Sequence, residues 1–281
     1  MPSEFTEIRV ERRGFVAEVV LCRPEKRNAM STRFFHEIRD AFRELDADDS
    51  VRVVVLRAEG PIFSAGLDLK EAGGTLLGAG GGAKPSDAKR SPALASDAQY
   101  RSIRALQDCF TQVERCRKPV IAAVHGKCVG GGVDLIAACD IRLCSSDASF
   151  SIFEVKVAIV ADVGTLQRIT PIVGKGMARE MAYTARFVPA ERAHACGLVN
   201  EVHDDAEALL AAARLMADEI AENAPLAVQG TKLVLNYSDE HDIDEGLEYV
   251  AQWNASRLRS NDVKEAVTAF LEKRRPKFSG N

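Results

Sequence analysis

Apolar and polar positions along the chain alternate between two periods. Two β-rich runs, residues 6–11 and 15–22, flank Arg12-Arg13-Gly14 and read as a hairpin. Pro24 ends the second run, and Ser31 is placed to cap an amphipathic helix reaching about Leu45. Residues 51–56 (VRVVVL) and 119–124 (PVIAAV) are short continuous apolar runs, and 141–144 begins a third. Such runs suit strands covered on both faces. Helical spacing lies between them, most clearly over 97–117, and a short apolar helix is expected over 135–139. Strands alternating with helices predict an α/β architecture with mainly parallel pairing. From residue 204 onward four helices follow, over 204–223, 225–235, 242–257 and 261–274. The expected organisation is a βα core over 1–203 and a helical region over 204–281. Residues 72–91, rich in Gly, Ala and Ser, read as a mobile surface loop.

Composition narrows the partners. The chain has 281 residues, 46% of them hydrophobic, with 37 Lys and Arg against 41 Asp and Glu. A net charge of −4 without a long basic run disfavours nucleic acid as a partner. No window approaches 18 consecutive apolar residues, so no membrane span is expected. The seven cysteines are odd in number and include no Cys-x-x-Cys pair, which supports neither zinc nor a disulfide framework. Residues 1–13 have the pattern of neither a signal nor a transit peptide, and the last three residues are no retention or peroxisomal address. A cytoplasmic protein with reduced thiols is the expectation.

Several motifs that would carry chemistry fail on context. Residues 78–83 match a dinucleotide fingerprint but follow no strand, Gly126-Lys127 continues to Cys128, and there is no Gly-x-Ser-x-Gly elbow. The five histidines lack metal-ligand spacing, and structural roles are expected for His125 and His194. Two other glycine sites are better placed. Phe63-Ser64-Ala65-Gly66-Leu67-Asp68 follows one buried strand, and Val129-Gly130-Gly131-Gly132-Val133-Asp134 leads from another into a helix. Each reads singly as a tight turn. Together, one backbone amide from each could form an oxyanion hole.

In combination with other segments, these two loops resemble the crotonase, or enoyl-CoA hydratase/isomerase, superfamily along nearly the whole chain. Arg23-Pro24-Glu25-Lys26-Arg27-Asn28-Ala29 is similar to its CoA-contacting segment, Ala193 to Val202 to the stretch after its core, and Phe270-Leu271-Glu272-Lys273-Arg274 to its tail. The resemblance implies a spiral of ββα units, a helical C-terminal region used in trimer assembly, and acyl-CoA thioester substrates. It also implies no metal or other cofactor, since CoA arrives as part of the substrate. Ser64, Ala65, Gly66, Leu67, Asp68, Gly130 and Gly131 would line the thioester site, with Ala65 and Gly131 supplying the amides. Arg23, Lys26, Arg27, Ala29 and Lys277 are the candidate CoA contacts.

Three acids select the subgroup. Where hydratases carry two Glu, this chain has Asp134 and Glu154, and a third acid, Asp162, stands where they usually have Gly. Residues 161–168 (ADVGTLQR), with Gly132-Val133-Asp134-Leu135 and Glu154-Val155, resemble the dienoyl-CoA isomerases, which convert 3,5-dienoyl-CoA to 2,4-dienoyl-CoA in fatty-acid β-oxidation. That reaction removes a proton at C2 and delivers one at C6, so two separated acid/base groups suit it. Glu154 and Asp162 are the candidate pair, with Asp134 tuning them. Residues 158–164 are otherwise apolar and should raise the Asp162 pKa. An enoyl-CoA hydratase is the main alternative; a thioester hydrolase and a non-catalytic acyl-CoA- or RNA-binding family member are others. Homotrimers or dimers of trimers are expected.

Overall fold

The computed structural model describes residues 5–76 and 91–281. Strands β1 (Ile8–Arg13) and β2 (Val16–Leu21) form the expected hairpin, with Ile8 opposite Leu21. Helix α1 (Thr32–Ala47) follows, its first turn capped where Ser31 Oγ accepts the Phe34 N–H at 3.1 Å. Then come β3 (Val53–Ala58), α2 (Leu69–Leu76), α3 (Pro92–Arg115), β4 (Val120–Val124), β5 (Lys127–Val129) and α4 (Gly131–Ala137). Next are β6 (Ile141–Ser145), β7 (Ser149–Ser151), α5 (Thr165–Thr184), β8 (Val188–Pro189), α6 (Ala190–Ala195) and β9 (Glu201–His203). Four helices end the chain: α7 (Ala206–Ala221), α8 (Pro225–Ser238), α9 (Ile243–Arg257) and α10 (Asn261–Glu272).

Six strands form one sheet in the order β1-β2-β3-β4-β6-β9, parallel from β2 onward, and β5, β7 and β8 form a smaller one. This is the α/β architecture of the ββα spiral. The apolar runs are continuous because the large sheet is covered on both faces. Val54, Leu56, Val120 and Ala122 point into the main core with α1 and α3, while Val53, Val55, Ile121 and Ala123 meet Leu209, Ala213 and Ala217 of α7. Thus α7, the first helix of the 204–281 region, covers this face of the sheet. On the α7 side Glu18 is buried between Arg57 and Arg214, 2.6 Å from each. Burial alone would raise its pKa, but hydrogen bonds from Arg214 and Arg57 outweigh it and hold the carboxyl below its ordinary value.

Further along, Lys232 of α8 enters the core and pairs with Asp140 at 2.7 Å. Helix α9 lies so close to α8 that a Cβ on Gly230 would meet Trp253 Nε1 at 2.1 Å. Helices α9 and α10 leave Ile243, Leu247, Phe270 and Leu271 more than half exposed. All seven cysteines are free thiols. Among the described residues no helix is long and apolar enough to cross a membrane, and no cluster of His, Cys, Asp or Glu could hold a metal ion.

The structure corrects three expected boundaries. Helix α3 starts at Pro92, with Ser91 as its cap, five residues before the expected start. Helix α4 begins at Gly131, since the glycines form its first turn. The Gly-rich stretch is helical at its start, where Ala72 lies in α2; residues 77–90, with the 78–83 fingerprint match, lie outside the described residues.

Candidate active site

The two glycine loops meet at the ends of β3 and β5. Isolated bridges join Met30 to Leu67 and Ser64 to Cys128, stitching residues 64–67 between the segment after Pro24 and β5. Gly66 has φ +82°, and a Cβ there would stand 2.7 Å from the Val129 carbonyl oxygen, so only glycine permits this approach. Pairing of β5 with β7, extended by the Gly130 N–H to the Ser151 carbonyl at 2.9 Å, brings Glu154 to the same place. Gly130 (φ +51°) leaves room for the Glu154 carboxylate: Oε1 would lie 3.2 Å from a Cβ at this position.

Which amides are free follows from the hydrogen bonds. Ala65 N–H donates to the Arg27 carbonyl at 2.9 Å, so the expected role of Ala65 as an oxyanion donor is corrected: its N–H is already committed. Along the bridge to Met30, the Gly66 carbonyl and the Asp68 N–H face the Met30 strand, at 2.8 and 2.9 Å. Strand alternation therefore turns the Leu67 N–H the other way, toward the Gly131 loop. It makes no hydrogen bond among the described residues. Gly131 is the first residue of α4, where the N–H has no partner within the helix. Among the described residues, Leu67 and Gly131 thus each present an N–H without a partner, one from each loop.

Three carboxyls border this point. Asp134, on α4, is wholly buried; its Oδ1 accepts the Thr165 N–H at 2.6 Å. With both acids ionised, the inner oxygens Asp134 Oδ2 and Glu154 Oε2 are buried without a hydrogen-bond partner among the described residues. One proton held between the two carboxyls would satisfy both oxygens. Burial, followed among the raising influences by the Glu154 charge, pushes the Asp134 pKa up to about 7. Burial also raises Glu154, with the Asp162 charge adding to it, while a hydrogen bond with Asp134 works the other way. Asp162 reaches solvent, unlike the enclosed group its apolar neighbours suggested, yet burial of part of the carboxyl still raises its pKa.

Arg23, a candidate CoA contact, and Asp68 and Ser64, candidates for the thioester site, are each held in bonds within the fold. Arg23 is buried, donates to Glu7 and to the Ala29 carbonyl, both at 2.9 Å, and lies 3.6 Å from Asp68. Asp68 is buried in turn and caps the start of α2 through Lys70 and Glu71 N–H. Ser64 is also buried, its Oγ donating to the Asn28 carbonyl and accepting the Gly66 N–H. Lys26 and Arg27 are exposed beside the site, and Ala29 is partly so. Lys277 is not brought to the site of its own chain. The neighbouring Phe278 carbonyl accepts from Arg52 at 2.7 Å, and Arg52 precedes β3, at the opposite end of that strand from the loops. Asn28 was missed: its side chain takes the Arg23 N–H and donates to the Glu59 and Ile62 carbonyls. An Asn between Arg27 and Ala29, in the segment after Pro24, was its only sequence signal. His125, as expected, is structural, within 2.8 Å of the Gly60 carbonyl.

The family model for enoyl-CoA hydratase/isomerase matches residues 11–281. The chain belongs to the enoyl-CoA hydratase/isomerase family. It is 45% identical over 281 residues to the mitochondrial Delta(3,5)-Delta(2,4)-dienoyl-CoA isomerase of Dictyostelium discoideum, covering 99% of this chain and 93% of that one. Identity to the peroxisomal Delta(3,5)-Delta(2,4)-dienoyl-CoA isomerase of Arabidopsis thaliana is 44% over 272 residues, covering 97% and 95%. Among solved structures, enoyl-CoA hydratase from Bacillus anthracis superposes with a TM-score of 0.86 at 29% identity, over 98% of this chain and all of that one. The cytoplasmic expectation is overturned, because the similar isomerases are mitochondrial or peroxisomal. Reduced thiols do not distinguish these compartments from the cytoplasm.

Proposed function

We propose that this family member converts 3,5-dienoyl-CoA to 2,4-dienoyl-CoA. The observation that carries the reading is a third carboxyl, Asp162, whose charge is felt by both members of the buried Asp134–Glu154 pair. The similarity to proteins named dienoyl-CoA isomerases supports it. The thioester oxygen accepts the Leu67 and Gly131 N–H groups, which puts C2 beside Glu154, packed on Gly130. Glu154 takes the C2 proton, the electron pair spreads through the diene onto the thioester oxygen, and Asp162 delivers a proton to C6. Asp134 tunes the proton affinity of Glu154. Lys26 and Arg27 are the exposed cations best placed for the CoA phosphates. We further read residues 204–281 as the region through which three chains, or two such trimers, assemble, with the apolar side chains of α9 and α10 covered by neighbouring subunits.

The test is Asp162→Asn, which keeps the shape but cannot exchange a proton at neutral pH. Isomerisation followed by ultraviolet absorbance should fall by roughly 10²–10⁴-fold, while any hydration of a 2-enoyl-CoA, which needs Glu154 and Asp134, persists. Undiminished isomerisation by Asp162→Asn would remove Asp162 from the reaction; no isomerisation by the unsubstituted protein, beside hydration that Glu154→Gln abolishes, would leave a hydratase instead.

A further inference from the structure

The Asp162 turn is held from outside, by one face of α3. Gln107 Nε2 donates to the Asp162 carbonyl at 2.6 Å, and Gln107 Oε1 accepts from Arg104 at 2.7 Å, which fixes the orientation of the amide. One and two turns further along the same face, Thr111 and Glu114 hold Arg168. The Arg168 guanidinium makes a two-pronged pair with Glu114, at 3.0 and 2.8 Å, and packs so tightly on Gly164 that a Cβ there would stand 1.8 Å from it. The other side of the turn is tied to the buried acid, through the Thr165 N–H on Asp134. Residues 162–165 are thus suspended between α3 and Asp134. The 162 end carries the most exposed of the three acids, and α3 reaches its backbone through Gln107 alone among the described hydrogen bonds.

We propose that Gln107 is a positioning residue for proton delivery at the distal end of the diene, acting through Asp162. The inference rests on the reading of Asp162 as the distal acid. Glu154 is placed by a different part of the fold, the β5–β7 pairing and Gly130, so loss of the Gln107 contact leaves proton removal at C2 in place. Displacing a catalytic group by about 1 Å can cost up to about 10²-fold in rate.

The experiment compares Gln107→Leu, Asp162→Asn and the double variant in the full-length protein. Each is assayed for isomerisation of a 3,5-dienoyl-CoA and for deuterium uptake at C2 in heavy water. Gln107→Leu should lower kcat by about 10- to 100-fold with KM unchanged and C2 exchange retained. It should cause no further loss in the Asp162→Asn background. Exchange falling in parallel with isomerisation, or an equal loss in both backgrounds, would mark a general structural role and overturn the proposal. A normal Gln107→Leu enzyme beside a defective Asp162→Asn enzyme overturns it as well, leaving the acid assignment standing. An Asp162→Asn enzyme of full activity overturns that assignment, and the proposal with it. Gln107→Met, also apolar but unbranched, repeats the measurement if Leu disturbs the helix.

Discussion

Replacing Asp134 with Asn should stabilise the protein at alkaline pH while impairing it as an enzyme. The side chain is wholly buried on α4, and the inner oxygen lacks a partner when the group is ionised. Burial, with the Glu154 charge adding to it, lifts its pKa from 3.8 to about 7. Because the folded pKa lies above the unfolded one, the folded state keeps a proton that the unfolded chain releases between those values. Stability therefore declines as pH rises from about 4 to 7 and levels off beyond. At 1.36 kcal/mol per pH unit, the loss relative to acid pH is about 2 kcal/mol at pH 5 and about 4 kcal/mol above pH 7, where Asp134 is ionised. Asn has the same shape: its carbonyl oxygen can accept the Thr165 N–H and its amide can donate to Glu154, without a charge to desolvate. Thermal unfolding of both proteins should show the Asp134→Asn variant melting on the order of 10 °C higher at pH 8, and only a few degrees higher at pH 5. Activity should move the other way. The donated N–H favours ionised Glu154, so the acidic limb of kcat/KM shifts to lower pH as isomerisation weakens. A melting difference that is equal at pH 5 and pH 8, or a loss at pH 8, would refute the reasoning.

Substitutions at two further positions, Gly131 and Arg23, separate catalytic from structural roles. Gly131→Pro removes the N–H proposed for the oxyanion hole at the first helical position, where proline is tolerated, and Gly131→Ala keeps that N–H with a similar intrusion on Met30. Turnover by the Pro variant should be about 10²–10³-fold below that of the Ala variant; equal losses would remove Gly131 from the oxyanion hole. Arg23→Ala removes the cation beside the half-buried Glu7 and the buried Asp68, which keep only their neutral donors, so denaturant unfolding should show a loss of about 3 kcal/mol. The KM for acyl-CoA should stay unchanged in the protein that remains folded, and a raised KM without a stability loss would restore Arg23 as a CoA contact.

Local chemistry made much of this protein legible in its sequence. Ser31 at the mouth of α1, Asp242 before α9, and the uninterrupted apolar runs of β3 and β4 announce their elements because caps and burial act over a few residues. The glycine loops and the three acids likewise stand out as residue types in order. Helix α5, interrupted by Pro171 and a Gly174 at φ +77°, and the three short strands β5, β7 and β8 carried no comparable local signal. Their stability comes from contacts distant in sequence. The direction of an N–H is of this kind too: Ala65 and Leu67 look equivalent in the sequence, and only the bridges to Met30 and Cys128 decide which of them is spent on the fold. Charge behaves similarly. Arg23 reads as a phosphate contact until Glu7 and Asp68 close around it, and Lys277 reads as part of the site until the chain's own tail is seen at the other end of β3. Residue order determines which groups are present, whereas hydrogen-bond partners and pKa values depend on what the folded chain brings within a few ångströms.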